Sequence, residues 1–254
     1  MPDPIFDHPR LAAIYDALEP DRSDLVPYLE LAQQIGARCV ADLGCGTGVL
    51  ALRLAGLGLQ VYAVDPAGAS LAVAQCKNGA SRVQWIHGDA AALPSLTTDL
   101  VLMTGNAAQA VISDDDFSGM LHSVYRSLKP GGTFAFESRI PGRRAWLSWT
   151  GENTRRTTSL TDAGNVETWV QLRKVDGPLV SFRWTFIFDA DGERLLSDST
   201  LRFRERDEIT GQLEAAGFEV TAIREAPDRP GHEYVFIARK PHEHSVHLGY
   251  RADT

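Results

Sequence analysis

The chain has 254 residues, of which 44% are hydrophobic and 23% charged, and a formal net charge of −8. That balance fits one large folded α/β domain, and it weighs against nucleic acid as the main partner, because phosphate binding draws on clustered Lys and Arg. No apolar run approaches a membrane span, no export signal opens the chain, and Cys39, Cys45 and Cys76 form no C-x-x-C pair, so a reduced, cytoplasmic setting is expected.

Residues 9–35 carry Leu11, Ile14, Tyr15 and Leu18, then Leu25, Tyr28, Leu29 and Leu31, at helical spacings. The segment 1–35 therefore reads as an N-terminal helical cap. Short apolar strands follow at 38–42, 59–64, 83–86, 100–104 and 133–137, separated by helices near 48–56, 67–77 and 115–128, with Lys129-Pro130-Gly131-Gly132 as a turn. Alternation of apolar strands with helices predicts a parallel sheet covered on both faces. Residues 140–165 carry no assignable period. Beyond them, 166–173, 180–188 and 199–204 read as strands, so 140–206 is expected to be an antiparallel β insertion after the fifth strand. In the second of these, Val180, Phe182, Trp184, Phe186 and Phe188 alternate strictly, as a one-sided sheet core requires, although a dimer face would show the same pattern. A helix at 208–216, with Asp207 as N-cap and Gly217 as its stop, precedes strands at 218–223 and 234–238. Residues 241–254 read as a loose tail, in which His242, His244 and His247 are too weakly held to predict a metal site.

The chemistry concentrates at strand ends. Val40-Ala-Asp42-Leu-Gly44-Cys45-Gly46-Thr-Gly48 reads as a buried strand running through a glycine loop into a helix, where backbone can approach a ligand closely. Asp42, Asp65 and Asp89 fall at the ends of three successive strands, the edge at which open α/β sheets bind ligands. Each has a structural alternative: Asp42 bonding the loop backbone, Asp65-Pro66 opening a helix, and Asp89 capping a turn.

Together these motifs resemble those of class I S-adenosylmethionine-dependent methyltransferases. Asp42-Leu-Gly44-Cys45-Gly46-Thr-Gly48 is similar to the family's first motif and Asp65-Pro66 to its acidic second loop. Gly88-Asp89-Ala90 is similar to the adenine loop, and Leu128-Lys-Pro-Gly-Gly132 to the turn before the fifth strand. The resemblance implies a seven-stranded, mostly parallel, doubly wound Rossmann-like sheet over residues 36–240. It also implies S-adenosylmethionine as cofactor, with Thr104 and Gly105 joining these loops around it. A carboxylate at Asp65 can accept both ribose hydroxyls, and Asp89 the adenine amine. Asp42 near the glycine loop suits a cationic methionyl tail, whereas it would repel the pyrophosphate of the NAD(P) oxidoreductase that Gly46-Thr-Gly48-Val-Leu-Ala51 also fits.

The fourth strand ends in Thr104-Gly105-Asn106-Ala107, without the Pro-Pro-aromatic motif of family members that methylate nucleobase or amide nitrogens. A small-molecule acceptor is the expectation. Asn106, Arg139, Tyr15 and Trp146 are candidates for holding it, with Trp149 as a further wall. Glu137, Arg139 and Tyr15 are the candidates for a catalytic role, though no residue is assigned one, because in-line methyl transfer needs a base only for a protonated acceptor. A non-catalytic cofactor-binding protein, with the insertion as interaction face, is the other reading these motifs allow.

Overall fold

A computed structural model describes residues 2–161 and 164–242. Two short N-terminal helices, α1 (Pro4–Asp7) and α2 (Pro9–Leu18), lead through a tight turn at Ser23–Leu25 into α3 (Val26–Gln34). Each of the three helices carries Pro in its first turn, where no intrahelical donor is needed. The region predicted as continuous helix over 9–35 is thus broken at Glu19–Arg22, where Pro20 cannot continue a helix.

The first half of the sheet then forms by simple alternation. It runs β1 (Cys39–Leu43), α4 (Val49–Gly56), β2 (Gln60–Asp65), α5 (Gly68–Gln75), β3 (Val83–His87), β4 (Thr98–Met103), α6 (Asp114–Ser127) and β5 (Leu128–Arg139). Ser113 caps α6 by accepting from the Asp116 N–H, and Asp114, Asp115 and Asp116 place negative charge at the positive end of the helix dipole. Lys129–Gly132 bulges out of the ladder between the pairs Thr98↔Leu128 and Leu100↔Thr133. The predicted turn is therefore present, inside the start of a strand.

After β5 come α7 (Gly151–Thr154) and an antiparallel sheet in the order β6 (Arg156–Leu160), β7 (Gly164–Asp176), β8 (Leu179–Phe188), β9 (Arg194–Arg202). The chain then returns through α8 (Arg206–Ala215), β10 (Glu219–Glu225) and β11 (Glu233–Arg239). Glu205, not Asp207, stands at the N-cap of α8 and makes no side-chain cap bond; Asp207 is the second helical residue, in the first turn, where its charge meets the dipole. Gly217 is the stop, at φ +94°.

The main sheet has the order β10-β11-β5-β4-β1-β2-β3, parallel except for β11, which runs antiparallel to both neighbours. The order reverses between β1 and β4, and their carboxyl ends open a crevice there. Two apolar layers cover the sheet, one built on α3 and α4, the other on α6, α8 and a row of stacked rings at Phe134, Phe136 and Phe236.

A third core lies outside this sheet. Ile5, Leu11, Ile14 and Leu18 of the N-terminal helices pack on Val166, Phe186 and Phe188 of the antiparallel sheet. The Arg10 guanidinium lies 3.6 Å from the Phe188 ring centre, and the Ile5 N–H donates to Ser197 Oγ at 2.9 Å. Phe182 is covered by Trp149, with ring centres 4.6 Å apart. The aromatic alternation of β8 is therefore internal core and not a dimer face.

Candidate active site

The crevice is shaped first by the glycine loop. Gly44 and Cys45 donate to the Val64 carbonyl at 2.8 and 3.2 Å, which ties the loop to the end of β2. Gly48 starts α4 at φ +79°, and a Cβ there would lie 2.5 Å from the Trp85 ring and 2.9 Å from Ala74 Cβ, so only glycine fits. At Gly46, φ is +53° and a Cβ would meet nothing within 4 Å, so the backbone here faces open space.

Asp65 holds this loop in place. Its Oδ2 accepts from the Gly46 N–H and its Oδ1 from the Ala67 N–H, both at 2.7 Å. Of the alternatives raised from sequence, the loop-bonding carboxylate is Asp65 and not Asp42. Asp42 is 1% exposed, and its Oδ2 has no hydrogen-bond partner. Burial, reinforced by the Asp65 charge, pushes its carboxyl up to about 7.

Asp89 is exposed, and its Oδ1 caps the turn Ala90–Ala92 by accepting from the Ala91 N–H at 2.9 Å, while Ala90 is buried beside it. Pro66 turns its carbonyl to the His87 ring, 2.9 Å away. After β4, Thr104 and Gly105 lead to Asn106, which adopts φ +60° and is 2% exposed.

Glu137 pins that loop. Its Oε2 accepts from the Gly105 N–H at 2.9 Å and the Asn106 N–H at 3.3 Å, and its Oε1 accepts from the Tyr28 hydroxyl. With three donors on one buried carboxylate, Glu137 positions backbone and is poorly placed to abstract a proton. Burial raises both its pKa and that of Tyr28. On the adjacent strand, Glu233 is buried at the start of β11, opposite Arg139 in the ladder. Its Oε1 accepts from Asn106 Nδ2 at 2.9 Å and Arg229 Nη1 at 2.8 Å, with Arg139 Nε farther off at 3.7 Å.

Beside this cluster opens a cavity of about 520 Å³, walled by Arg139, Trp149, Asp228, Arg229, His232 and Glu233. Its size falls in the usual range of small-molecule pockets. Two lips meet over it, with the Ile140 N–H donating to the His232 carbonyl at 2.9 Å and Arg143 Nε to the Gly231 carbonyl at 2.7 Å. Trp146 does not line this cavity; it packs edge-on against Phe203, ring centres 4.6 Å apart. Tyr15 is half-buried against Phe6, and burial raises its pKa.

The N-terminal helices are fastened across the crevice. Thr47 Oγ1 in the glycine loop donates to Asp16 Oδ1 at 2.5 Å, and Lys77 joins the Asp16 carboxylate to the Thr47 carbonyl. Asp7 Oδ1 accepts from the Ala69 N–H at 3.1 Å, and Ser70 Oγ donates to the Phe6 carbonyl at 2.6 Å.

Sequence reading missed Tyr28, Gln109, Asp228, Arg229 and Glu233. The signal for Glu233 exists only in the register that sets β11 against β5, and Arg229 stands in the turn before β11; no local pattern encodes either position. Of the three tail histidines, His244 and His247 lie outside the described residues, and no cluster of metal-ligating side chains occurs among the described residues.

The comparisons agree with this geometry. Residues 40–132 match the family model described as a methyltransferase domain. That segment carries a methyltransferase domain, and the fold around it is that of the class I S-adenosylmethionine-dependent methyltransferases. A cypemycin N-terminal methyltransferase from Streptomyces is 34% identical over 118 residues, covering 46% of this chain and 48% of the relative. The chain spans about half the length of the curated relatives it matches. Among solved structures, the CcbJ methyltransferase of Streptomyces caelestis superposes with a TM-score of 0.74 at 21% identity, covering 91% of this chain and 96% of that one. The S-adenosylmethionine-bound CalS10, an amino pentose methyltransferase from Micromonospora echinaspora, gives 0.69 at 21% identity over 89% and 96%.

The crevice fits the cofactor of that family. Asp42 Oδ2 is an orphaned, buried acceptor above the glycine loop, and with Asp65 it makes the pocket acidic. Such a pocket suits a cationic amino acid tail and opposes a pyrophosphate. A bound cation favours the ionised form of Asp42, so binding at lower pH must first expel a proton. We expect S-adenosylhomocysteine to bind about tenfold more weakly at pH 6 than at pH 8, with proton release seen by calorimetry in buffers of different ionisation enthalpy. Asp42→Asn should bind weakly and without pH dependence. The same raised pKa predicts that the ligand-free fold gains stability below the ordinary carboxylate range and loses it as pH rises through about 7.

Proposed function

We propose that this chain transfers the methyl group of S-adenosylmethionine to a small-molecule acceptor seated in the cavity beside β5. The observation that carries the reading is the juxtaposition of an acidic, glycine-lined crevice at the β1–β4 reversal with a separate cavity of about 520 Å³ at the end of β5. One pocket suits the donor, and the other is large enough for an acceptor. The acidic composition and the absence of a Pro-Pro-aromatic motif after β4 also support a small molecule over nucleic acid. A cytoplasmic setting fits this reading; no described helix is long and apolar enough to cross a membrane.

S-adenosylmethionine would supply an electrophilic methyl carbon, so the protein's task is alignment and exclusion of water. Asp42 would face the ammonium of the amino acid tail, Asp65 the ribose hydroxyls through the lone pairs left by Gly46 and Ala67, and Asp89 with Ala90 the adenine edge. Thr104 and Gly105, held by Glu137, would form the floor under the sulfur. Residues 1–35 and 140–206 would act together as the cover.

Calorimetry with S-adenosylhomocysteine, followed by transfer of labelled methyl to a panel of small amines, phenols and carboxylic acids, tests this. Micromolar binding and turnover of at least one acceptor class are expected. Absence of binding overturns the assignment, and tight binding without turnover across all classes favours a cofactor-binding protein without catalysis.

A further inference from the structure

Four charged side chains wall the cavity, and their pairing is unequal. Arg229 reaches Glu233 at 2.8 Å and Asp228 at 3.3 Å, which satisfies both carboxylates. Among the described residues, Arg139 has only the neutral Gln109 side chain within hydrogen-bond distance, at 3.0 Å. Its nearest carboxylate oxygen, Glu233 Oε1 at 3.7 Å, already accepts from two closer donors. Yet the Arg139 side chain is only 22% exposed. A guanidinium presents five N–H donors in a planar fork, so most of this one's capacity is unspent on the protein, at the wall of the cavity. Burial also lowers its pKa, consistent with a charge short of compensation. The Trp149 ring stands 6.0 Å from the guanidinium carbon and offers a flat apolar wall on the same cavity.

We infer that the acceptor site selects a planar, singly anionic molecule, a carboxylate or an acidic enol, gripped by the free edge of Arg139 with its ring against Trp149. This deepens the methyl-transfer reading and rests on it for the name of the site, though not for the charge preference. A dianionic phosphate is disfavoured, because Glu233, Asp228 and Glu137 lie within the same cluster. A free amine finds no open carboxylate pair, since Arg229 occupies both cavity carboxylates. The bidentate fit of guanidinium to carboxylate gives the site orientation as well as affinity.

The test measures binding of benzoate, benzamide and benzylamine, three molecules of one shape and different charge, with and without S-adenosylhomocysteine. Benzoate should bind at least about tenfold more tightly than either of the others. Arg139→Gln should erase that preference and bring benzoate to the level of benzamide, while retaining the wild-type affinity for S-adenosylhomocysteine. Equal or tighter binding of benzylamine by the wild type overturns the proposal, as does an unchanged benzoate preference in Arg139→Gln. The wild-type comparison stands even if that variant fails to fold. Benzoate preference without any affinity for S-adenosylhomocysteine would support the anion site and strike the methyl-transfer reading instead.

Discussion

Asp65→Ala should weaken S-adenosylhomocysteine binding by about two orders of magnitude. The expected loss has two parts. A buried carboxylate accepting from ribose hydroxyls contributes about 1.5–3 kcal/mol through charge-assisted hydrogen bonds, which alone is roughly 10- to 150-fold in affinity. Its removal also leaves the Gly46 and Ala67 N–H groups without their acceptor, both now at 2.7 Å, so the loop that shapes the crevice loosens. Asp65→Asn keeps one acceptor oxygen but sets an NH2 group against the other amide, and should fall between the two. Adenosine, which carries the ribose without the amino acid tail, should lose as much affinity as S-adenosylhomocysteine does. Undiminished binding in Asp65→Ala, with a folded variant by thermal melt, would sink the assignment of this crevice.

The second large effect is on stability. Phe136 sits at the middle of β5, fully buried, with ring centres 4.7 Å from Phe134, 5.2 Å from Phe236 and 6.5 Å from Phe117. These contacts join β5, β11 and α6, and the strands around them have little freedom to collapse into a void. Phe136→Ala should cost about 3–5 kcal/mol by loss of transfer energy plus the cavity left behind. That corresponds to a fall in Tm of about 10 °C or more in a chain of this size. Urea unfolding read by tryptophan fluorescence checks the figure. A loss below about 1 kcal/mol would show that the ring row does not bear the sheet's packing.

The parallel half of the sheet was legible because each of its signals is local. Val40, Ala41 and Leu43 form a strand buried on both faces, which reads as an apolar run interrupted only by Asp42. Gly44, Gly46 and Gly48 mark the loop by positive φ at all three positions, a demand only glycine meets cheaply. The strict alternation from Val180 to Phe188 likewise foretold a one-sided sheet, and the structure supplies the helices that cover it. Strand β6 was missed because Arg156, Thr157, Thr158 and Ser159 are polar and largely exposed, an edge strand with no apolar period to read.

Of the proposed site, the crevice at the β1–β4 reversal could be read from local motifs, and the cavity at the end of β5 could not. Asp42 and Asp65 lie at the carboxyl ends of β1 and β2, and Asp89 two residues beyond β3, so their placement along one edge follows from the sheet's polarity. The cavity depends on β11 running back along β5, which sets Glu233 against Arg139, and on a turn 90 residues downstream that supplies Arg229. Periodicity reports which face a side chain takes; it does not report which distant face it meets. For the same reason Glu137 and Tyr28, 109 positions apart, could not be joined in advance.

The core shared by Ile5, Leu11, Ile14 and Leu18 with Phe186 and Phe188 has a consequence for how the chain is made. Residues 5–18 are synthesised well before the surface they pack on, which is completed only when β9 pairs with β8. Contacts this far apart in sequence form late, because loop closure must precede them. Until then an aromatic sheet face and an apolar helix face are both bare, a state prone to association. The segment 5–18 thus locks late, only once β7, β8 and β9 are all in place.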